Sequence, residues 1–212
     1  MGKSHLSLPE TQAMFIHVCQ WMVGSTNLLT QADKAIGDGD HGVGMARGFE
    51  AVRQKLEGQT FDGLHALFKT VGMALMTSVG GASGAVFGTL FRGGARQLAD
   101  QRSFDSEALA LLLLDGLQAV QDRGKAKPGD KTMVDAIEPA ASTAQELRAI
   151  PLDESLRAVT EAARQGMERT KDMVASIGKA KTLGERALGH ADPGALSTFL
   201  ILSLMHDYVM HH

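Results

Sequence analysis

The chain has 212 residues, 44% of them hydrophobic and 5% aromatic, with a formal net charge of -3 and one cysteine. This composition lacks the basic excess of nucleic-acid-binding proteins, and a single cysteine excludes an internal disulfide. No apolar run approaches the roughly 20 residues that span a membrane, and the N-terminus lacks the apolar core of a signal peptide. We therefore expect a cytoplasmic protein with no membrane and no nucleic-acid partner.

The spacing of apolar residues predicts an all-α chain of eight helices, which we take as a single domain over residues 1–212. Few aromatics, abundant Ala and Met, and scarce β-branched runs favour helices over strands. The first helix begins at Ser7, which has capping-box spacing to Glu10, and continues to a glycine-rich stretch. Pro139 in the sixth helix predicts a kink or a late start. The later helices are expected at about 45–56, 64–75, from 86, 105–120, 133–147, 153–174 and 196–209.

Four loops collect most of the unusual residues, and they alternate with pairs of predicted helices. They cover residues 33–44, 78–84, 124–132 and 179–194. In an up-and-down antiparallel bundle or barrel, alternate loops lie at the same end. We therefore expect these four loops to build one composite pocket.

The first loop carries three carboxylates within eight residues, those of Asp33, Asp38 and Asp40. Their offsets do not fit one face of a straight helix, but a glycine-rich turn can bring them together. Converged carboxylates repel each other by roughly 4 kcal/mol per close pair at an effective dielectric of about 20, and a bound cation removes that cost. Oxygen ligands suit magnesium or calcium and not zinc. The alternative is a solvated acidic turn.

Three motif matches in these loops fail on closer comparison. The stretch 37–42 fits the glycine spacing of the dinucleotide fingerprint, but a helix precedes it where a strand is required. A calcium loop starting at Asp38 would need a bidentate Glu at its twelfth position, where Phe49 stands. The stretch 124–132 resembles a phosphate loop, but an aspartate separates its Gly from its Lys.

The second loop consists of small residues: Gly80, Gly81 and Gly84 flank Ala82 and Ser83. Small residues let backbone N–H groups and a hydroxyl approach phosphate oxygens, and a helix N-terminus favours an anion. Close packing of two helices is the alternative explanation of the same pattern.

The last loop contains a turn signature and basic residues. Asp192, Pro193 and Gly194 form the turn, whose alternative role is simply to start a helix. Lys179 and Lys181 can neutralise phosphate or can be solvated.

Taken in order, the four loops resemble the L subunit of dihydroxyacetone kinase, of the type that depends on a phosphotransferase system. Each motif alone is modest, but four in order over nearly the whole chain are specific. The motifs are Asp33-(x)4-Asp38-Gly-Asp40-His41-Gly42, Ser78-Val-Gly-Gly-Ala-Ser-Gly84, Arg123-Gly-Lys-Ala-Lys-Pro-Gly-Asp-Lys-Thr-Met133 and Leu183-Gly-Glu-Arg-Ala-Leu-Gly-His-Ala-Asp-Pro-Gly-Ala195.

This resemblance implies an eight-helix barrel that holds ADP or ATP at one end, with two Mg²⁺ on Asp33, Asp38 and Asp40. It implies phosphate or nucleotide contacts from His41, Gly42, Ala82 and Ser83. The residues that it implies on the adenosine side are Gly124, Met133, Asp192, Pro193 and Gly194. Gly81, Thr132 and Lys179 complete the expected cofactor-binding set.

The resemblance also implies an activity that is shared between chains. Phosphate passes from the nucleotide to dihydroxyacetone on a separate K subunit, which fits our finding of no clear general base in the sequence. A phosphotransferase-system M subunit then rephosphorylates the bound ADP. The alternatives are a directly ATP-exchanging subunit for another ketose such as erythrulose, a non-catalytic nucleotide-dependent binder of a transcription regulator, and a helical scaffold with a structural metal.

The chain departs from the family pattern at two places. Gly44 stands where the family often has Asn. The stretch 178–182 reads Gly-Lys-Ala-Lys-Thr where Gly-Arg-Ala-Ser-Tyr is familiar. Lys179 keeps the positive charge but lacks the bidentate fork of arginine. We therefore expect these departures to affect the affinity for the nucleotide and the exchange of the nucleotide.

Overall fold

The computed structural model describes residues 2–212, and within that range it contains nine α-helices, three 3₁₀ segments and no strand. The helices are α1 (Leu8–Gly24), α2 (Thr26–Ile36), α3 (His41–Leu56), α4 (Leu64–Ser78), α5 (Gly81–Gly94), α6 (Ser106–Gly124), α7 (Val134–Glu146), α8 (Leu152–Arg169) and α9 (Pro193–His211). The 3₁₀ segments are Arg96–Leu98, Thr170–Asp172 and Lys179–Ala187. The all-α prediction is confirmed.

The predicted count of eight helices is wrong by one, because the first helix is broken at Ser25. The Ser25 hydroxyl donates to the Trp21 carbonyl at 2.9 Å, and the Thr26 hydroxyl donates to the Val23 carbonyl at 2.6 Å. Such local bonds compete with the regular helical ladder. The apolar pattern continues from α1 into α2, so periodicity alone gives no sign of the break.

Two helices begin earlier than the sequence predicts, since α3 starts at His41 and α5 at Gly81. The sequence predicts that both helices start after the glycines, because glycine disfavours helix interiors. Close packing overrides that preference here. A Cβ at Gly48 would collide with the Val79 side chain, and one at Gly84 would lie 3.3 Å from the Leu75 carbonyl oxygen.

Eight of the helices form a closed ring. Each helix from α3 to α8 packs along its successor, and α1 closes the ring by packing against both α3 and α9. The short α2 extends from α1 and packs on α3. The up-and-down order places the N-termini of α3, α5, α7 and α9 at one end of the barrel, as the alternation of loops predicts.

Buried aromatic rings fill the centre of this barrel. The ring of Phe15 makes edge-to-face contacts with those of Phe68 and Phe91, at centroid distances of 5.4 and 5.1 Å. Each buried ring of this kind stabilises the fold by roughly 1.5–3 kcal/mol. The predicted capping box of α1 is present, with the Ser7 backbone N–H donating to the Glu10 carboxylate at 2.8 Å.

Across residues 2–212, no helix has both the length and the apolar character that crossing a bilayer requires.

Candidate functional site

A cavity of about 600 Å³ opens at the end of the barrel where α3, α5, α7 and α9 begin. This volume is in the range of small-molecule sites, and all four of the singled-out loops contribute to the wall. We call this cavity the pocket. Among the residues that the sequence singles out, the wall contains Asp33, Asp40, His41, Gly81, Ala82, Ser83, Gly124, Thr132, Met133, Lys179, Asp192, Pro193 and Gly194.

Two of the expected metal-binding and cofactor-binding residues lie outside this wall. Asp38 is exposed at the rim, beside the other carboxylates. Gly42 is buried and faces α2, where an added Cβ would collide with the Thr26 carbonyl oxygen and with Thr30. In this structure Gly42 therefore permits the close crossing of α2 and α3.

The three aspartates converge as the sequence predicts. One oxygen from each of Asp33, Asp38 and Asp40 lies within 4.8 Å of the other two. Asp33 is only 7% exposed, and its Oδ2 accepts the backbone N–H of His41 at 3.1 Å. Gly37 makes this arrangement possible, because any side chain there would collide with the Asp33 carboxylate. An all-oxygen cluster of this size suits Mg²⁺.

Lys179 reaches this cluster from the 3₁₀ segment on the far side of the pocket. Its Nζ donates to Asp38 Oδ2 at 2.5 Å and lies 3.4 Å from Asp40 Oδ2. The hydrogen bond from Lys179 lowers the pKa of Asp38, and the same contact raises the pKa of Lys179. The ammonium thus supplies positive charge at the carboxylates. Because this pair is exposed, it adds little to stability.

The start of α5 forms the next part of the wall. Gly80 and Gly81 have φ values of 83° and 57°, which glycine adopts without strain. No side chain caps this helix, so the first backbone N–H groups of α5 are available to an anion. Arg47, which sequence reasoning missed, holds the segment that leads into α5. It donates to the carbonyls of Ser78 and Val79, both at 2.6 Å.

His41 connects the acidic cluster to α5 and α9. Its Nδ1 lies 3.0 Å from Ser83 Oγ and its Nε2 lies 2.8 Å from Ser197 Oγ. Burial lowers the pKa of His41, which favours the neutral ring. Ser197 is fully buried, and the sequence offers no local signal for it, because its partner His41 is 156 residues away.

A third residue that sequence reasoning missed is Lys131, which supports the opposite side of the pocket. It is 2% exposed, and its Nζ donates to the carbonyls of Thr170 at 2.5 Å and His190 at 2.6 Å. Burial lowers its pKa. Lys131 therefore ties the α6–α7 loop to both ends of the α8–α9 connection. Asp135, in the first turn of α7, accepts the backbone N–H groups of Gly129 and Thr132 in this loop.

Asp192 caps α9 at the same side of the pocket. Its Oδ2 accepts the backbone N–H of Ala195 at 2.8 Å. Desolvation raises the pKa of Asp192 to about 7, although the Ala195 hydrogen bond and the charge of Lys131 oppose the rise. A carboxyl that holds its proton near neutral pH makes the stability of the nucleotide-free chain depend on pH.

We expect Asp192→Asn to raise the thermal midpoint of the nucleotide-free chain at pH 8, with the difference shrinking toward pH 5. The folded pKa of about 7 lies above the unfolded value of about 3.9. Between these values the folded chain retains a proton that the unfolded chain has released, so stability falls as pH rises from about 4 to about 7. Asparagine caps a helix as well as aspartate does and cannot ionise. Thermal unfolding of both proteins from pH 5 to 8 measures the effect.

The control is Asp105→Asn, which changes the aspartate that caps α6 by accepting the Ala108 backbone N–H at 2.9 Å. It lies outside the pocket and should keep the pH dependence of the wild-type chain. Parallel pH profiles for wild type and Asp192→Asn would contradict the prediction.

Comparison with known proteins identifies the family of this chain. The model of the DAK2 domain matches residues 35–207. The chain is 39% identical over 178 residues to the ADP-binding subunit of PEP-dependent dihydroxyacetone kinase 1 from Listeria innocua, covering 84% of this chain and 85% of that relative. The corresponding subunit of Escherichia coli is 39% identical over 181 residues, with the same coverage.

More distant relatives are longer proteins. L-erythrulose kinase of Pectobacterium atrosepticum is 36% identical over 180 residues, which cover 82% of this chain and 30% of that kinase. The crystal structure of C. freundii dihydroxyacetone kinase in complex with AMP-PNP and Mg²⁺ has a TM-score of 0.72 and 28% identity, and the match covers 92% of this chain. The chain spans only 33% of that kinase.

Proposed function

Because the chain belongs to the DAK2 domain family, we propose that it is the ADP-binding subunit of a dihydroxyacetone kinase of the type that depends on a phosphotransferase system. The observation that carries this proposal is the convergence of three carboxylates and the uncapped start of α5 on one pocket. The carboxylates suit a divalent cation and the helix start suits an anion. A magnesium nucleotide contains both.

We place two Mg²⁺ ions on Asp33, Asp38 and Asp40, where they would offset charge on the nucleotide phosphates. The backbone N–H groups at the start of α5 would bind phosphate oxygens. The adenosine would occupy the side of the pocket that Gly124, Met133 and the Asp192–Gly194 turn line. In this proposal the chain binds and orients the nucleotide, and a partner subunit supplies the ketose with its acceptor hydroxyl.

The partners in this proposal are a K subunit that carries the ketose and an M subunit that rephosphorylates ADP in place. We expect the K subunit to cover the mouth of the pocket, as phosphoryl transfer requires contact between the two substrates. Large apolar side chains are exposed at this end: Val43 is 57% exposed, Val174 44% and Leu188 41%. A cytoplasmic location and a nucleotide-dependent contact with a transcription regulator are further parts of the proposal, and a pull-down with and without ADP tests the latter.

Reconstitution tests the lasting use of ADP. We expect the chain, a K subunit, dihydroxyacetone and ATP to give no sustained turnover until the M subunit and its phosphate donor are added. Sustained turnover on ATP alone would contradict the lasting-ADP form and favour direct exchange. Running the assay with erythrulose distinguishes the two ketoses, since the erythrulose kinase relative is 36% identical.

We expect Lys179→Met to change two affinities in opposite directions. Binding of Mg²⁺ without nucleotide should tighten, because the Lys179 ammonium no longer competes at Asp38 and Asp40. Binding of ADP with magnesium should weaken about tenfold, because a charge-assisted bond to phosphate is lost. Titration calorimetry with ADP and Mn²⁺ binding by electron paramagnetic resonance measure the two effects. Lys179→Arg, which keeps the charge, is the control, and two shifts of the same sign would contradict the prediction.

A further inference from the structure

Three helices that begin at the pocket are joined through one imidazole. His41 is the first residue of α3, Ser83 the third residue of α5, and Ser197 the fifth residue of α9. The two ring nitrogens of His41 lie 3.0 Å from Ser83 Oγ and 2.8 Å from Ser197 Oγ. His41 is 6% exposed and Ser197 is fully buried. Of the two hydroxyls, only that of Ser83 belongs to the pocket wall.

The direction of these hydrogen bonds decides what Ser83 can offer a ligand. A neutral imidazole has one N–H and one acceptor nitrogen, so one serine accepts from the ring and the other donates to it. If Nδ1 carries the hydrogen, Ser83 accepts from His41 and keeps its own O–H for a phosphate oxygen. If Nε2 carries the hydrogen, the Ser83 O–H is consumed by Nδ1, and a lone pair faces the anion instead.

The burial of Ser197 favours one of the two tautomers. Within residues 2–212, the hydroxyl of Ser197 has one hydrogen-bond partner, His41 Nε2, and the residue is fully buried. A buried O–H without an acceptor is costly, so Ser197 donates to Nε2 and the ring hydrogen lies on Nδ1. Without that hydroxyl, Nε2 loses its donor and can carry the hydrogen itself, in the form that takes up the Ser83 O–H.

We propose that Ser197 is a positioning residue that keeps His41 in the Nδ1–H form, so that the Ser83 hydroxyl is free to donate to the nucleotide phosphates. This inference rests on the proposed function, since it assigns a ligand to Ser83. Ser197 acts through His41 and touches no ligand itself.

Calorimetric titration of Ser197→Ala with ADP and magnesium tests this role. We expect affinity to fall about tenfold to a hundredfold, the range for losing one hydrogen bond to a charged group. The matched control is Ser155→Ala. Ser155 is equally buried, but its hydroxyl has no hydrogen-bond partner, so its removal should leave ADP affinity unchanged. Thermal unfolding of both variants verifies that each is folded.

A cycle with Ser83 separates this role from a purely structural one. Because Ser197 is expected to act only through Ser83, Ser83→Ala should weaken ADP binding by a similar factor, and the double variant should be no worse than either single one. Losses that multiply would overturn the inference.

The tautomer can also be measured directly, by ¹⁵N NMR of the histidine rings in the wild-type chain with ADP, with His41→Gln identifying the signals. We expect Nδ1–H in the wild type and a larger share of Nε2–H in Ser197→Ala. An Nε2–H ring in the wild type would overturn the inference even if the variant failed to fold. If the wild type and Ser197→Ala bind ADP with the same affinity, the inference is overturned but the proposed function stands. If the wild-type chain binds no ADP, the proposed function is overturned as well.

Discussion

Replacing Asp38 with Asn is expected to weaken magnesium-dependent ADP binding by at least about 100-fold while the nucleotide-free chain stays folded. Even residues that only support a metal ligand change affinity 10- to 100-fold when mutated, and Asp38 is one of the three converged carboxylates themselves. The amide keeps the size of the side chain and removes its charge. The side chain is 54% exposed, so its replacement leaves the packed interior untouched.

Calorimetric titration with ADP, with and without Mg²⁺, measures this loss, and thermal unfolding measures the fold. Asp62→Asn is the control, because Asp62 is an exposed aspartate in the α3–α4 loop at the other end of the barrel. Retained ADP affinity together with a large drop in the thermal midpoint would contradict the account and favour a structural metal in a helical scaffold.

Replacing Lys131 with Met is expected to lower the free energy of unfolding by about 2–4 kcal/mol. The change leaves the carbonyls of Thr170 and His190 without their donor, and each buried unsatisfied group costs about 1–3 kcal/mol. Relief of the buried charge recovers part of that cost. For a chain of this size the loss corresponds to roughly 5–15 °C in the thermal midpoint. ADP affinity should also fall, because the α6–α7 loop and the α8–α9 connection lose their link.

Lys125→Met provides a matched control for this experiment. Lys125 and Lys131 both have positive φ, at 56° and 61°, but Lys125 is exposed and only Lys131 is buried. Chemical denaturation of both variants compares them, and Lys125→Met should change the free energy of unfolding by no more than about 0.5 kcal/mol. Equal stability of the two variants would mean that the buried lysine does not hold the loops together.

The sequence predicted the fold well because its strongest cues are local or periodic. Apolar spacing located the helices, and the alternation of loops placed the acidic triad, the α5 start and the Asp192 turn at one end. The errors came where packing overrides local preference. Ser25 breaks a helix inside a continuous apolar pattern, and α5 includes Gly84 and Gly88 because α4 passes close to both.

The residues that sequence reasoning missed are polar groups whose partners are distant along the chain. Lys131 bonds residues 39 and 59 positions away, and Arg47 bonds carbonyls 31 and 32 positions away. Ser197 forms a hydrogen bond with His41, which is 156 positions away. In the sequence alone, such a lysine or serine cannot be distinguished from an ordinary solvated or helical residue. Its hydrogen bonds around the pocket become visible only in the folded barrel.

The central claim is that this chain holds a magnesium nucleotide on its acidic loop, and mass spectrometry of the small molecules that acid releases from the purified protein tests it most directly. We predict ADP at about one molecule per chain, accompanied by magnesium. A chain that releases no nucleotide, and that takes up no ADP when ADP and magnesium are supplied, would contradict the account.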